Sequence, residues 1–117
     1  MLTKIISQAK KKLRDYQIKE KFTAGLVLNG NEIKSLRNYQ TSIDEAYVSL
    51  QQRELYIVNM YIAPYKYSHA GSLTNNYNGR RKRKLLLHQK EIRKISQQLK
   101  NKNYSLIPLL LFVNVKG

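Results

Sequence analysis

Hydrophobic and polar positions alternate most cleanly between residues 22 and 28, where Phe22, Ala24, Leu26 and Leu28 fall on one side and Thr23, Gly25 and Val27 on the other. A period of two predicts a half-buried strand, which the pattern extends back to Tyr16. Asn29-Gly30-Asn31 is turn chemistry, with Asn31 the expected N-cap of a short helix starting at Glu32. Ile33 and Leu36 would form its buried stripe, and Lys34 and Arg37, three apart, would share a more exposed face. Residues 47–50 and 55–62 read as two strands of a hairpin around the polar Gln51-Gln52-Arg53-Glu54. Residues 63–78, rich in Tyr, Ser, Asn and Gly, read as a long loop of the kind that is functional or mobile.

Leu85, Ile92 and Leu99 repeat at seven, and Leu86 and Ile95 thicken that stripe, so a long helix is expected over 80–102. A last strand follows over 104–115, in which Pro108 implies an edge position or a bulge. At the other end, Leu2, Ile5, Ile6, Ala9 and Leu13 recur at helical spacing among lysines. Residues 1–15 therefore read as a basic arm or helix, ahead of a single domain over 16–117. The order of elements indicates an α+β, mainly β fold: a small antiparallel barrel of the oligonucleotide-binding kind, closed or incomplete, flanked by two or three helices.

Charge changes this picture more than size does. The 117 residues hold 22 Lys and Arg against 7 Asp and Glu, a formal net charge of +15. Self-repulsion on that scale calls for a polyanion, and nucleic acid is favoured over an anionic membrane surface. No cysteine is present, which excludes disulfides, thiolate metal sites and thiol nucleophiles. The longest apolar run, 106–113, is broken by Pro108 and too short to cross a bilayer. His69 and His88 are far apart and lack the carboxylates or nucleophiles that catalysis or metal binding would need, so neither an enzyme nor a cofactor is expected.

The most informative motif is Arg80-Arg81-Lys82-Arg83-Lys84, placed by the periodicity at the start of the long helix. Cations are disfavoured there by the helix dipole, and the nearest acid of that helix is Glu91. A phosphate backbone would reverse the penalty, against the simpler reading of a solvated basic run. Nine tyrosines form a second feature, with Tyr61, Tyr65, Tyr67 and Tyr77 around the long loop as candidates for stacking on unpaired bases and Tyr47 and Tyr56 read as strand or core residues.

Several of these segments together resemble the SmpB family of SsrA-binding proteins. Residues 30–37, Gly-Asn-Glu-Ile-Lys-Ser-Leu-Arg, resemble its G-x-E-V-K-S-L-R signature. Ile62-Ala63-Pro64-Tyr65 is similar to its hydrophobic-x-P-Y step, residues 81–87 followed by Glu91-Ile92 to its R-x-R-K-L-L-L…E-I segment, and residues 104–109 to its Y-T-L-V-P-L strand. The resemblance implies a barrel flanked by helices that binds the tRNA-like domain of transfer-messenger RNA. It further implies delivery of that RNA to the decoding region of the small subunit of stalled ribosomes, for trans-translation. Implied with it are a monomer, no membrane partner, and a ribosome-associated location in the cytoplasm or an organelle matrix.

Carried over by position, Lys34 and Arg37 would lie beside the RNA surface and Arg81, Arg83 and Lys84 would meet phosphates, with Arg80 a further RNA-binding candidate as part of the basic cluster. Leu86 and His88 match positions on the tRNA-like-domain contact surface, and Tyr16 matches a tyrosine that packs or contacts. Three departures stand out. Thr23-Ala24-Gly25 replaces E-A-G, removing an acceptor from the RNA surface, and Asn78-Gly79 replaces a proline-containing approach to R-x-R. The sequence given stops at Gly117, where family members continue with a further strand and a basic tail. The expectation is RNA binding with tagging in question, from either a shortened piece or a reduced version. A degenerate, general RNA-binding protein and a basic membrane-surface protein remain the alternatives.

Overall fold

The computed structural model describes residues 2–65, 77–100 and 104–115. The centre of the expected long loop, with Tyr67 and His69, lies outside them. Strands β1 (Leu2–Gln8) and β8 (Leu110–Val115) pair antiparallel, with Gln8 opposite Leu110 and a register shift between Ile5 and Ser7. Of the expected basic arm or helix, only the six residues of α1 (Lys10–Asp15) are helical, and the segment before them is strand. Short isolated helices are marginal, and pairing with residues 110–115 instead gives the segment a hydrogen-bonded partner strand. Ile6 and Ala9 turn into the core, at 9% and 3% exposure, and the Lys12 ammonium donates to the Ala46 carbonyl at 2.7 Å.

β2 (Gly25–Leu26) is much shorter than the strand expected over 16–28, since only there does the segment pair with a neighbour. The inside–outside alternation nevertheless holds from Phe22 to Leu28. α2 (Gly30–Arg37) starts two residues earlier than expected because Asn29, not Asn31, caps it. The Asn29 side chain accepts from the Glu32 backbone N–H at 2.9 Å, and the Glu32 carboxylate accepts from the Asn29 N–H at 3.1 Å. This reciprocal cap buries Glu32 with Ser35 and Leu36 and leaves Ile33 exposed.

β3 (Thr41–Ser42) pairs with β6 (Tyr61–Ile62), and β4 (Tyr47–Gln51) with β5 (Glu54–Val58). The β4–β5 hairpin forms where expected, but its second strand, expected over 55–62, ends at Val58 ahead of Asn59 at φ 65°. Its tip is formed by Gln52 and Arg53 at φ of 49° and 66°, the sign that suits the twist of a two-residue turn. β5 also pairs with β7 (Arg83–Leu86), which pairs with β2, giving the sheet order β2-β7-β5-β4.

The expected long helix is therefore a strand followed by α3 (Gln89–Leu99), capped at His88. Glu91 in the first turn accepts from the His88 backbone N–H at 3.1 Å and suits the dipole, whereas the cations sit upstream, Arg83 and Lys84 in β7 and Arg80 to Lys82 just before it. Residues 104–109, with Pro108, precede β8 and are not part of a strand. The described residues form three antiparallel sheets and three helices around two apolar clusters, without a closed barrel. One cluster gathers Leu36, Ile43, Met60 and Ile62, the other Leu55, Ile92 and Ile95, and Leu85 packs against both.

Candidate nucleic-acid interface

Because β7 is a strand, its side chains alternate between faces and the basic run is split. Arg83, Leu85 and Leu87 face inward, while Lys82, Lys84, Leu86 and His88 face out. On the outer face Lys84 lies opposite Tyr56 and 3.6 Å from the Glu54 carboxylate. The Lys82 ammonium sits 4.6 Å from the centre of the Tyr56 ring and donates to the Gln51 side chain at 2.8 Å. Leu86 is 51% exposed, although a leucine in that stripe could equally have been core. It packs across from Gly25, where an added Cβ would come within 3.3 Å of the Leu86 Cβ. Thr23, Leu86, Leu87, His88 and Glu91 line a shallow cleft at this end of the sheet, joining two segments far apart in sequence.

Arg83 is the main correction to the expected site. It is wholly buried, and each guanidinium nitrogen donates inside the protein. Nε and Nη2 reach one Glu32 oxygen at 2.9 and 2.6 Å, Nη1 reaches the Met60 carbonyl at 2.7 Å, and Nη2 reaches the Gly79 carbonyl at 3.0 Å. An arginine so engaged has nothing left to offer a phosphate. Arg81, half-exposed, also donates to both oxygens of Glu32. The Tyr77 hydroxyl donates to the Ile62 carbonyl at 2.8 Å and lies 3.2 Å from Glu32.

Glu32 is thus a hub that ties α2 to β7, and its protonation follows from its partners. Burial alone pushes the carboxyl up, but hydrogen bonds from Arg81, the Asn29 N–H and Arg83 outweigh it, and the net effect is below the ordinary range. Burial, then the Glu32 charge, raise the Tyr77 phenol above its usual value. Gly79 belongs to the same construction. Its carbonyl accepts from the Ile62 N–H at 2.9 Å as well as from Arg83, and a Cβ there would lie 2.8 Å from the Ile62 carbonyl oxygen. The Asn78-Gly79 step therefore matters to packing and not only to the loop.

The other expected residues divide into groups. Lys34 and Arg37 are exposed on α2, with the Lys34 ammonium 5.4 Å from the centre of the Tyr65 ring. Arg80 lies over Tyr61 at 5.4 Å and pairs with Glu45 at 3.3 Å. Tyr16, at the end of α1, is 53% exposed and lies at the mouth of an apolar cleft reaching Leu106 and Leu111. Sequence reasoning missed Glu32 as an anchor and Lys82 and Tyr56 as an outward pair. Reading 82–88 with a period of two would have found the latter.

The family described as SmpB protein matches residues 6–117. The SsrA-binding protein of Phocaeicola vulgatus is 46% identical over 103 residues, covering 88% of this chain and 66% of its own length. That of Ehrlichia canis is 44% identical over 113 residues, covering 97% and 74%, and that of Listeria monocytogenes 38% over 110 residues, covering 94% and 69%. The chain thus spans about two thirds to three quarters of the length of these curated relatives. A solved structure described as "tmRNA-SmpB: a journey to the center of the bacterial ribosome" contains a chain that matches with a TM-score of 0.65 at 35% identity, covering 97% of this chain and 73% of that one. A match over nearly the whole sequence and a shared fold lead to one conclusion: the chain belongs to the SmpB family.

Proposed function

We propose that the chain binds the tRNA-like domain of transfer-messenger RNA and carries it to stalled ribosomes for trans-translation. It acts by binding and breaks no bonds. Its partners are that RNA and the small-subunit decoding region, and its place is on ribosomes in a cytoplasm or organelle matrix. Relatives named SsrA-binding proteins and a similar chain from work on tmRNA-SmpB and the bacterial ribosome support this reading. The observation that carries it is the outward face of β7, where Leu86 and His88 stand open beside Thr23 with Lys84 on the same face. An exposed leucine flanked by cations suits a nucleoside surface bordered by phosphates.

Lys34, Arg37, Arg80 and Arg81 add a second cationic area around α2, and Tyr16 borders the fold on the side of α1. Arg83 supports the interface from inside through Glu32. No helix among the described residues is long and apolar enough to cross a membrane. A second reading, general RNA affinity without rescue, is favoured by Thr23, which offers no carboxylate to the cleft.

Titration against the tRNA-like domain over a salt series, with an ordinary tRNA as competitor, separates the two. Preference for the tRNA-like domain that persists at physiological salt supports the first reading. Equal affinities that collapse together as salt rises support the second.

A further inference from the structure

The end of α2 carries a residue in an unfavourable conformation for its type. Tyr39 lies in the left-handed region at φ 60°, where a bulky side chain is disfavoured and glycine or asparagine is usual. Its backbone N–H donates to the Leu36 carbonyl at 3.0 Å, so the turn itself needs only the backbone. The side chain is 56% exposed, so burial does not compensate for the strain. Strain kept at an exposed position points to a task outside the fold.

The surroundings indicate which task. The Ala63 N–H donates to the Gln40 carbonyl at 2.9 Å, binding the segment that bears Tyr39 to the one that bears Tyr65. Lys34, one turn back on α2, sits over Tyr65, and Arg37 is exposed two residues before Tyr39. This is the negative end of the helix dipole, so phosphates are drawn by the side chains of Lys34 and Arg37 and not by the backbone. Aromatic rings interleaved with cations match a strand whose bases stack while its phosphates are neutralised.

We infer that Tyr39 is a stacking platform for an unpaired base of bound RNA, with Lys34 and Arg37 holding the flanking phosphates. This rests on the RNA-binding reading above and adds to it a specific contact at the end of α2. The test compares the wild-type chain with Tyr39→Gly and Tyr39→Phe for binding to a short oligoadenylate and to an abasic oligonucleotide of the same length. Binding of the tRNA-like domain by the wild type serves as the control on the broader reading.

Tyr39→Gly relieves the left-handed strain and is expected to raise the melting temperature by about 2–4 °C. The same variant should bind oligoadenylate on the order of tenfold more weakly. Tyr39→Phe should bind like the wild type, and the abasic strand should not distinguish the three proteins. A Tyr39→Gly protein that binds oligoadenylate as the wild type does, or loses affinity equally for the abasic strand, overturns the assignment. If the wild type binds the tRNA-like domain in that case, the broader reading stands without it. If the wild type binds no RNA, both fall.

Discussion

Arg83 and Lys84 are neighbours in one basic run, yet they occupy opposite sides of the same strand and opposite electrostatic conditions. Arg83 is fully buried and held by Glu32 and three backbone carbonyls, whereas the Lys84 side chain is 43% exposed and faces Glu54 across the sheet. Desolvation of the first is tolerated because every donor is satisfied, and one partner is a carboxylate buried with it. The second remains hydrated and available. A run of like charges is therefore not a functional unit until its periodicity is known. Within five residues it can supply both the internal strut of a surface and the surface itself.

The largest effect should come from breaking the strut. Arg83→Met leaves Glu32 charged and buried with Arg81 as its remaining cation, and should cost about 3–5 kcal/mol in denaturant unfolding. Adding Glu32→Gln to that variant should cost less than Glu32→Gln costs alone, because the two side chains act as one unit. Strictly additive costs would break the comparison at its buried side.

Next in size is the response to acid. The folded-state carboxyl of Glu32 lies below its ordinary range, so its contribution is present above the unfolded-state pKa and lost as pH falls through the folded one. Thermal melts should therefore show stability declining on acidification, with a shallower decline in Glu32→Gln. Equal slopes in the two proteins would place the acid sensitivity elsewhere.

The smallest stability effect belongs to the outer face. Leu86→Ala removes an exposed side chain and should shift unfolding by no more than about 0.5 kcal/mol. RNA affinity should nevertheless fall, which a calorimetric titration beside the melt would show. A large stability loss would mean that Leu86 is a core residue after all.

Much of this arrangement was legible in the sequence. Alternation from Phe22 to Leu28, the hairpin around Gln52-Arg53 and the short helix within 30–37 appear where the pattern put them. The basic run was misassigned because three consecutive leucines, 85–87, satisfy a helical stripe and a strand face equally well. The tie is broken by His88 and Glu91, whose spacing marks a helix start after the run. The burial of Arg83 was not legible, since its partner Glu32 lies 51 residues away and arginine is ordinarily read as exposed. The N-terminal strand was hidden for a related reason, as its pairing partner lies at the other end of the described chain.

The most direct test of this division is the salt dependence of RNA binding in Lys82→Gln/Lys84→Gln, which neutralises the outward cations of the run and leaves Arg83 in place. Both side chains stand on the outer face of the sheet, so the melting temperature should be nearly unchanged. The slope of log affinity against log salt for the tRNA-like domain should become shallower by about 1 to 2. An unchanged slope in a folded double variant would contradict the account, because Lys82 and Lys84 would then make no contact with phosphate.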